Sequence, residues 1–526
     1  MKLLKPHWLF FIALAVSYLA FSPGTISDMG YMAENLEACH EIISNLGEWV
    51  TFQYASTRVS WPRHGLYELI LEIPFILVGK LFLGAAPEES ALAVSLQPVI
   101  FSALLCTLLF AWVRRITGSL AWAFALGLAT AFSTMIWPYA YIGLETTQSL
   151  FLLLTGFIAI ELKEKRSWKV AVLLSVCAAM SISLKSNGVF LGPAVAYLGY
   201  SYFKPELESG LRGSRRSLLK PSASALLVLS LYLVNSYIRS LSPIWHPGTY
   251  KMLLHSVADS WETVLFNMFS LFGSTNKGLI IYSPILLLCL IALRRAYRSR
   301  PDISIFAALT LFGLGAGCSL LYFWGDETWG PRYLHSSVAP LVLVLAASRV
   351  GVPFRMRTEA ALAALAVLGA FISFLGVAFH YGNLHKAAVE TGQSTIENLQ
   401  TQPAWNPIRF NLKLLLTRAG AGKEQAIEPV NWPPEPHWWY GKPLEAPELK
   451  TVDLRKFTNP QPLILRDGAD FQGPGERAVR IIYSNLLWIG ALLLIITGYT
   501  CLKRERARER AMAARVRGVK NADAAG

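Results

Sequence analysis

Apolar runs close to the length of a bilayer crossing recur from one end of this chain to the other, and they restrict its folding more than any other feature. A hydrocarbon layer about 30 Å thick is crossed by roughly 20 apolar residues in a helix. Lipid offers no partner to a backbone amide, so each crossing must close its own hydrogen bonds, which only helices and closed barrels do. The runs here are near that helical length. They predict an all-α polytopic membrane protein with about twelve transmembrane helices, near 8–21, 94–113, 120–137, 146–160, 170–184, 189–203, 225–238, 279–293, 303–323, 334–347, 360–379 and 484–502. Hydrophobic residues make up 53% of the 526 and charged residues only 16%. Residues 1–22 resemble a signal peptide, but no small-residue cleavage site follows, and Asp28 arrives where the outer end of a retained helix would lie.

Charge orients this array. Threading the runs in order puts Lys2, Arg114, Arg115, Lys163, Arg166, Lys220, Arg294, Arg300, Arg349 and the tail from Lys503 onward on one side, with more than half of the 48 basic residues. Outer positions up to Arg332 hold few: Arg58, Arg63, Lys80, Lys185, Arg239, Lys251, Lys277 and Arg332 itself. The positive-inside rule then predicts cytoplasmic termini, as an even number of crossings requires. The net charge of +14 is thus mainly a topology signal, and nucleic acid is excluded as a partner because no soluble basic domain exists to carry it.

Two regions break the simple pattern. The run 66–83 is long enough to cross, yet it contains Glu68, Glu72, Pro74 and Lys80, and counting it as a crossing would invert every later loop against the charge bias. It is expected to be an interfacial or re-entrant helix on the outer face. Residues 380–480 are rich in proline and carry an aromatic group at Trp432, His437, Trp438, Trp439 and Tyr440, which predicts a small outer segment. The resulting organisation is a membrane module over 1–379 with its first outer loop at 23–93, the outer segment 380–480, a last transmembrane helix over 481–502 and a basic tail over 503–526 that meets anionic lipid.

Catalytic classes narrow by what the chain lacks. Five cysteines fall in or beside apolar runs and Cys39 stands alone in a loop, so neither a disulfide framework nor a zinc cluster is suggested. The nine histidines show no ligand spacing, and no Walker-type glycine loop is present. No cofactor is called for, and the sequence leaves dependence on a divalent metal open. What stands out is Trp329-Gly-Pro-Arg-Tyr333, placed directly between two apolar runs. An arginine there is costly unless it snorkels or binds something. Asp28, Arg58, Arg63, Glu145, Lys185, Arg239, Tyr250 and Lys277 are expected at the same outer ends. Singly, each reads most simply as a snorkelling or capping residue; together, carboxylates and several cations at helix ends suit a lipid phosphate held at the membrane surface.

Ser27-Asp28-Met29-Gly30-Tyr31, Arg63-His64-Gly65-Leu66, Ile73-Pro74-Phe75, Thr134 to Tyr139 with Glu145, Asn276-Lys277-Gly278-Leu279, Tyr282-Ser283-Pro284 and Gly330 to Tyr333 occur in an order that resembles the bacterial membrane glycosyltransferases of the GT-C superfamily, relatives of protein O-mannosyltransferases and aminoarabinose transferases. The resemblance runs through roughly the first 350 residues. It implies transfer of a sugar from a polyprenyl-phosphate donor to a glycan, lipid or protein acceptor on the outer face of a bacterial inner membrane. It further implies Asp28 as general base, Glu145 as a second acidic residue, Arg63, Lys185, Lys277 and Arg332 as ligands of the donor phosphate, and Arg58, Tyr139, Tyr250 and Tyr333 as substrate contacts. One departure is visible: many relatives carry two adjacent acidic residues in the first loop, whereas Met29 follows Asp28 here. The alternative from another class is a lipid-linked saccharide flippase. Transporters favour ionisable groups near mid-membrane and inverted repeats, and this sequence has its charges at helix ends and unlike halves.

Overall fold

The computed structural model describes residues 5–22, 66–83, 94–141, 144–212, 214–240, 257–321, 325, 328–352, 359–392, 396–420, 424–426, 451–458, 460, 462, 465 and 474–523. Among them the chain is mainly helical, with one short ribbon, in which Glu424–Ala426 pairs antiparallel with Thr451–Asp453, and an antiparallel bridge between Val257 and Leu321. Five helices are long and apolar enough to cross a membrane: Leu96–Thr117, Arg216–Ser240, Pro301–Ser319, Ala360–Ala378 and Ile481–Arg508. Shorter apolar helices accompany them at Pro6–Ala20, Leu120–Phe132, Trp168–Ser183 and Arg332–Ala347.

Helix starts follow capping chemistry. Ser119, Ser167, Ser260 and Asn406 each accept a hydrogen bond from a backbone amide of the first turn that follows, satisfying donors that a helix leaves open. At the centre lies Val338–Ala347, all ten of whose residues are buried. A helix apolar on every side must be surrounded by protein or lipid, and here it is surrounded by protein. At the periphery the apolar faces turn outward, as Leu226, Val367 and Trp488 do at 63%, 71% and 74% exposure. Apolar exposure on this scale belongs against lipid. The first and last helices pack closely, with Gly490 so near Ser17 that a Cβ there would meet its hydroxyl at 2.5 Å. A small residue at such a crossing lets two backbones approach where no hydrophobic force separates helix from lipid.

Several expected spans are reshaped. Residues 279–293 form a four-residue helix, Leu279–Tyr282, then a break at Ser283-Pro284, then Leu286–Ser299. Proline lacks an amide donor and disfavours the helical region for the residue before it; the freed Ser283 hydroxyl accepts from the Met135 amide at 3.2 Å. Residues 120–137 likewise end as a helix at Phe132 and resume briefly over Ile136–Tyr139. Trp261–Gly273 is a helix the apolar count misses, because Glu262 and Asn267 interrupt it; Asn267 is buried and bonds the Ser319 carbonyl at 3.0 Å. The last span and the basic tail are one helix, Pro474–Asp523. Its tail is tied back to the Gly118 turn, where Glu505 accepts from the Leu120 amide at 3.0 Å and Arg508 donates to the Gly118 carbonyl.

The Leu66–Leu83 helix packs on the end of Leu219–Ser240, with the Tyr67 amide donating to Asn235 at 3.2 Å and Asn235 donating to the Ser183 carbonyl at 2.9 Å. Within 380–480, Leu384, Trp405, Phe410, Val452 and Phe457 join Phe379 in a hydrophobic cluster separate from that of the helix bundle. This unit is fastened to the bundle by asparagines: Asn406 donates to the Thr275 carbonyl at 2.6 Å and Asn411 to Leu375 at 2.9 Å. The aromatic residues at 432–440 lie outside the described residues.

Candidate functional site

One helix, Leu144–Glu161, carries a carboxylate at each end, about 24 Å apart at 1.5 Å per residue. Glu161 accepts from Arg115 at 2.6 Å, Arg300 at 2.6 Å and Trp112 at 3.0 Å, and Arg300 also reaches Asp302 at 3.1 Å. Every charge in that group is answered, as in a structural staple. Glu145, at the other end, differs. It is 3% exposed and pairs through Oε1 with Lys185, equally buried, and with Arg332 Nε at 3.3 Å. Its Oε2 takes no hydrogen bond among the described residues. The Arg332 contact is close enough for attraction without being aligned as a hydrogen bond. Among the described residues one carboxylate thus faces two cations.

Local backbone geometry delivers each member. Glu145 lies in the first turn of its helix, where a negative charge favours the exposed amides. Lys185 is presented by a tight turn into a 3₁₀ segment, Ser186–Leu191, closed by the Gly188 amide on the Lys185 carbonyl at 3.0 Å. A Cβ at Gly188 would fall 2.5 Å from the Ile182 carbonyl, so this turn needs glycine. Arg332 follows Gly330, whose φ of +63° lies in the left-handed region and whose Cβ position is taken by the Tyr282 ring at 2.8 Å. The arginine then opens the 3₁₀ segment Arg332–Ser337, which runs directly into the fully buried Val338–Ala347 helix.

Tyr333 lies against both cations, its ring centroid 5.3 Å from Lys185 Nζ and 5.4 Å from Arg332 Cζ, within cation–π range. Tyr139 is fully buried and donates to the Trp329 carbonyl at 2.8 Å, so its hydroxyl holds the Trp-Gly-Pro-Arg-Tyr loop. Lys277 is buried and donates to the Thr328 carbonyl. It therefore adjoins the stretch leading to Arg332, four residues away in sequence, and its flank meets Gly325 and, through that turn, Gln400 of the 380–480 unit. Asp28, Arg58, Arg63 and Tyr250 lie outside the described residues. Sequence reading missed Ser149, His335 and Ser336, which pack behind Glu145: Ser149 Oγ lies 2.7 Å from His335 Nδ1 and 3.0 Å from Ser336 Oγ. The only signal for them was polar residues inside an apolar run at helical spacing from Glu145 and Arg332.

An apolar cavity of about 550 Å³ lies beside this end and runs between Trp168–Ser183, Gly192–Leu211 and Leu219–Ser240, lined by Ile182 and Val189 near Lys185 and by Leu207 and Pro221 further along. Among the described residues no group of three or more His, Cys, Asp or Glu side chains could hold a metal ion.

Fold and site together define an integral helical membrane protein with a buried, cation-rich cluster at one end of its bundle. No protein-family model and no curated protein sequence matches the chain. Among solved structures, the chain is similar to the crystal structure of ArnT from Cupriavidus metallidurans bound to undecaprenyl phosphate, at 14% identity and a TM-score of 0.47, over 97% of this chain and 79% of that one. A likeness of that strength says nothing about the site, which stands on its own side chains.

Proposed function

We propose that the protein is a membrane glycosyltransferase that moves a sugar from a polyprenyl-phosphate donor to a glycan, lipid or protein acceptor on the outer face of a bacterial inner membrane, with both termini cytoplasmic. The observation that carries this reading is the Glu145–Lys185–Arg332 group, two cations on one carboxylate, with Glu145 and Lys185 buried and Arg332 13% exposed. Cations largely withdrawn from water attract an anion strongly, and a guanidinium matches the geometry of a phosphate. The neighbouring apolar cavity suits a prenyl or acyl chain attached to that anion. The resemblance of the first 350 residues to GT-C enzymes supplies the reaction class.

In this mechanism the acceptor oxygen or nitrogen attacks the anomeric carbon as the bond from that carbon to the phosphate oxygen breaks, and the anomeric centre inverts. Asp28 takes the acceptor's proton. Lys185 and Arg332, joined by Lys277 and Arg63, neutralise the charge growing on the departing phosphate, usually the largest catalytic contribution in such a transfer. Glu145 holds the two cations in place. Tyr333 restrains them from the side, and Arg58 and Tyr250 contact substrate. Asp28→Asn keeps the size and hydrogen-bonding capacity of the side chain while removing its basicity, so turnover should fall on the order of 10²–10⁴-fold with donor binding little changed. Near-normal turnover in that variant would remove the base assignment, since asparagine replaces aspartate well as a helix cap.

A further inference from the structure

Two rungs connect the Arg332–Ser337 segment to the start of the Leu144–Glu161 helix. Arg332 faces Glu145, and His335 faces Ser149. The spacings match because the two partners have different periods. Positions i and i+3 eclipse in a 3₁₀ helix, which puts Arg332 and His335 on one side; positions i and i+4 share a face in an α-helix, which puts Glu145 and Ser149 on one side. The second rung is fully enclosed, with Ser149, His335 and Ser336 all buried. Ser149 Oγ also lies 2.6 Å from the Glu145 carbonyl, and the Tyr139 ring closes on the imidazole edge to face at 5.3 Å.

Proton supply constrains how this rung works. A serine hydroxyl has a single proton. With that proton on the Glu145 carbonyl, the back-bond usual for a helical serine, the imidazole Nδ1–H of His335 donates to Ser149 Oγ, which Ser336 Oγ also approaches at 3.0 Å. Histidine is thereby anchored to the same turn that carries Glu145. We propose that His335 is a positioning residue: its bond to Ser149 sets the register of the 3₁₀ segment on the helix and so holds Arg332 at Glu145, ready for the anion. This inference rests on the reading of the cluster as an anion site, but the ladder itself can be tested without any anion. A slip of one helical turn, about 5.4 Å, would carry Arg332 away from its carboxylate.

The test uses purified full-length protein in detergent, with farnesyl phosphate as the probe for binding and thermal unfolding as the second readout. Asparagine can place its amide N–H where Nδ1–H lies, whereas glutamine reaches past it. His335→Asn should therefore bind within about threefold of wild type, and His335→Gln and Ser149→Ala should each weaken binding about tenfold, the size of one lost buried hydrogen bond. The double variant His335→Gln/Ser149→Ala should be no weaker than either single one, because the two remove the same contact. In the absence of probe, the same pair should show the same non-additivity in unfolding midpoint. Asparagine failing as badly as glutamine, or the single effects adding in both readouts, would overturn the positioning role. If wild type does not bind farnesyl phosphate, the anion reading fails, and additivity or non-additivity in the unfolding midpoints still decides the ladder.

Discussion

Arg332 gains its place from three neighbours acting in different ways: the left-handed turn at Gly330 aims it, Glu145 attracts it, and the Tyr333 ring limits where it can swing. A lysine there would keep the charge and lose the planar fork. Arg332→Lys should thus lower affinity for a lipid-phosphate donor substantially while leaving the unfolding midpoint near wild type; unchanged donor use would mark Arg332 as a snorkelling side chain. Glu145 makes the opposite prediction. Glu145→Gln removes the carboxylate that faces Lys185 and Arg332, and breaking a buried ion pair such as Glu145–Lys185 from one side costs about 3–5 kcal/mol. Its unfolding midpoint should fall clearly, and a midpoint equal to wild type would show that the cluster is solvated. At this scale the sequence told much: Glu145, Lys185 and Arg332 are legible as charges bordering apolar runs, where burial demands a partner. It did not say that they partner one another, since their contact depends on how three separate helices pack. Ser149 and His335 were illegible for a related reason. A serine and a histidine inside apolar runs read as satisfied core residues until the helices that hold them are seen to face each other.

The Leu144–Glu161 helix does two jobs at its two ends, and this separates stability from binding. Glu161→Gln should destabilise the protein, because it loosens Arg115, Arg300 and Trp112 together, while leaving the affinity for farnesyl phosphate within about twofold. A large loss of affinity in that variant would mean that the ends are coupled along the helix. Most of the helices themselves were readable from periodicity and length. The departures have local causes: Pro284 breaks 279–293, polar Glu262 and Asn267 hide Trp261–Gly273, and the alanine- and arginine-rich tail continues the last helix because those residues favour it. Apolar counting registers burial against lipid or protein, and so cannot report a helix whose buried face is shared with polar residues.

Among the described residues of the bundle, the contacts of Arg115, Glu161, Arg300, Arg349 and Glu505 lie toward one end and those of Glu145, Lys185 and Arg332 at the other. The 380–480 unit rests on the loop that holds Lys277, the same end as the cluster. With Cys39 replaced by serine, an engineered thiol at the exposed Val389 should react with an impermeant reagent from outside the cell, and one at Arg510 should not; the reverse pattern would put the site on the cytoplasmic face. Sequence supplied this sidedness through its lysines and arginines, which no fold geometry can provide, whereas the meeting of the Trp-Gly-Pro-Arg-Tyr loop with Lys277 came only from the packed structure. The central claim is that the cation pair holds the phosphate of a prenyl-linked sugar. Mass spectrometry of lipids retained by the purified protein tests it most directly. Wild type should carry a polyprenyl-phosphate sugar that is lost from Arg332→Ala, whereas its absence from wild type, or equal retention by both proteins, would contradict the account.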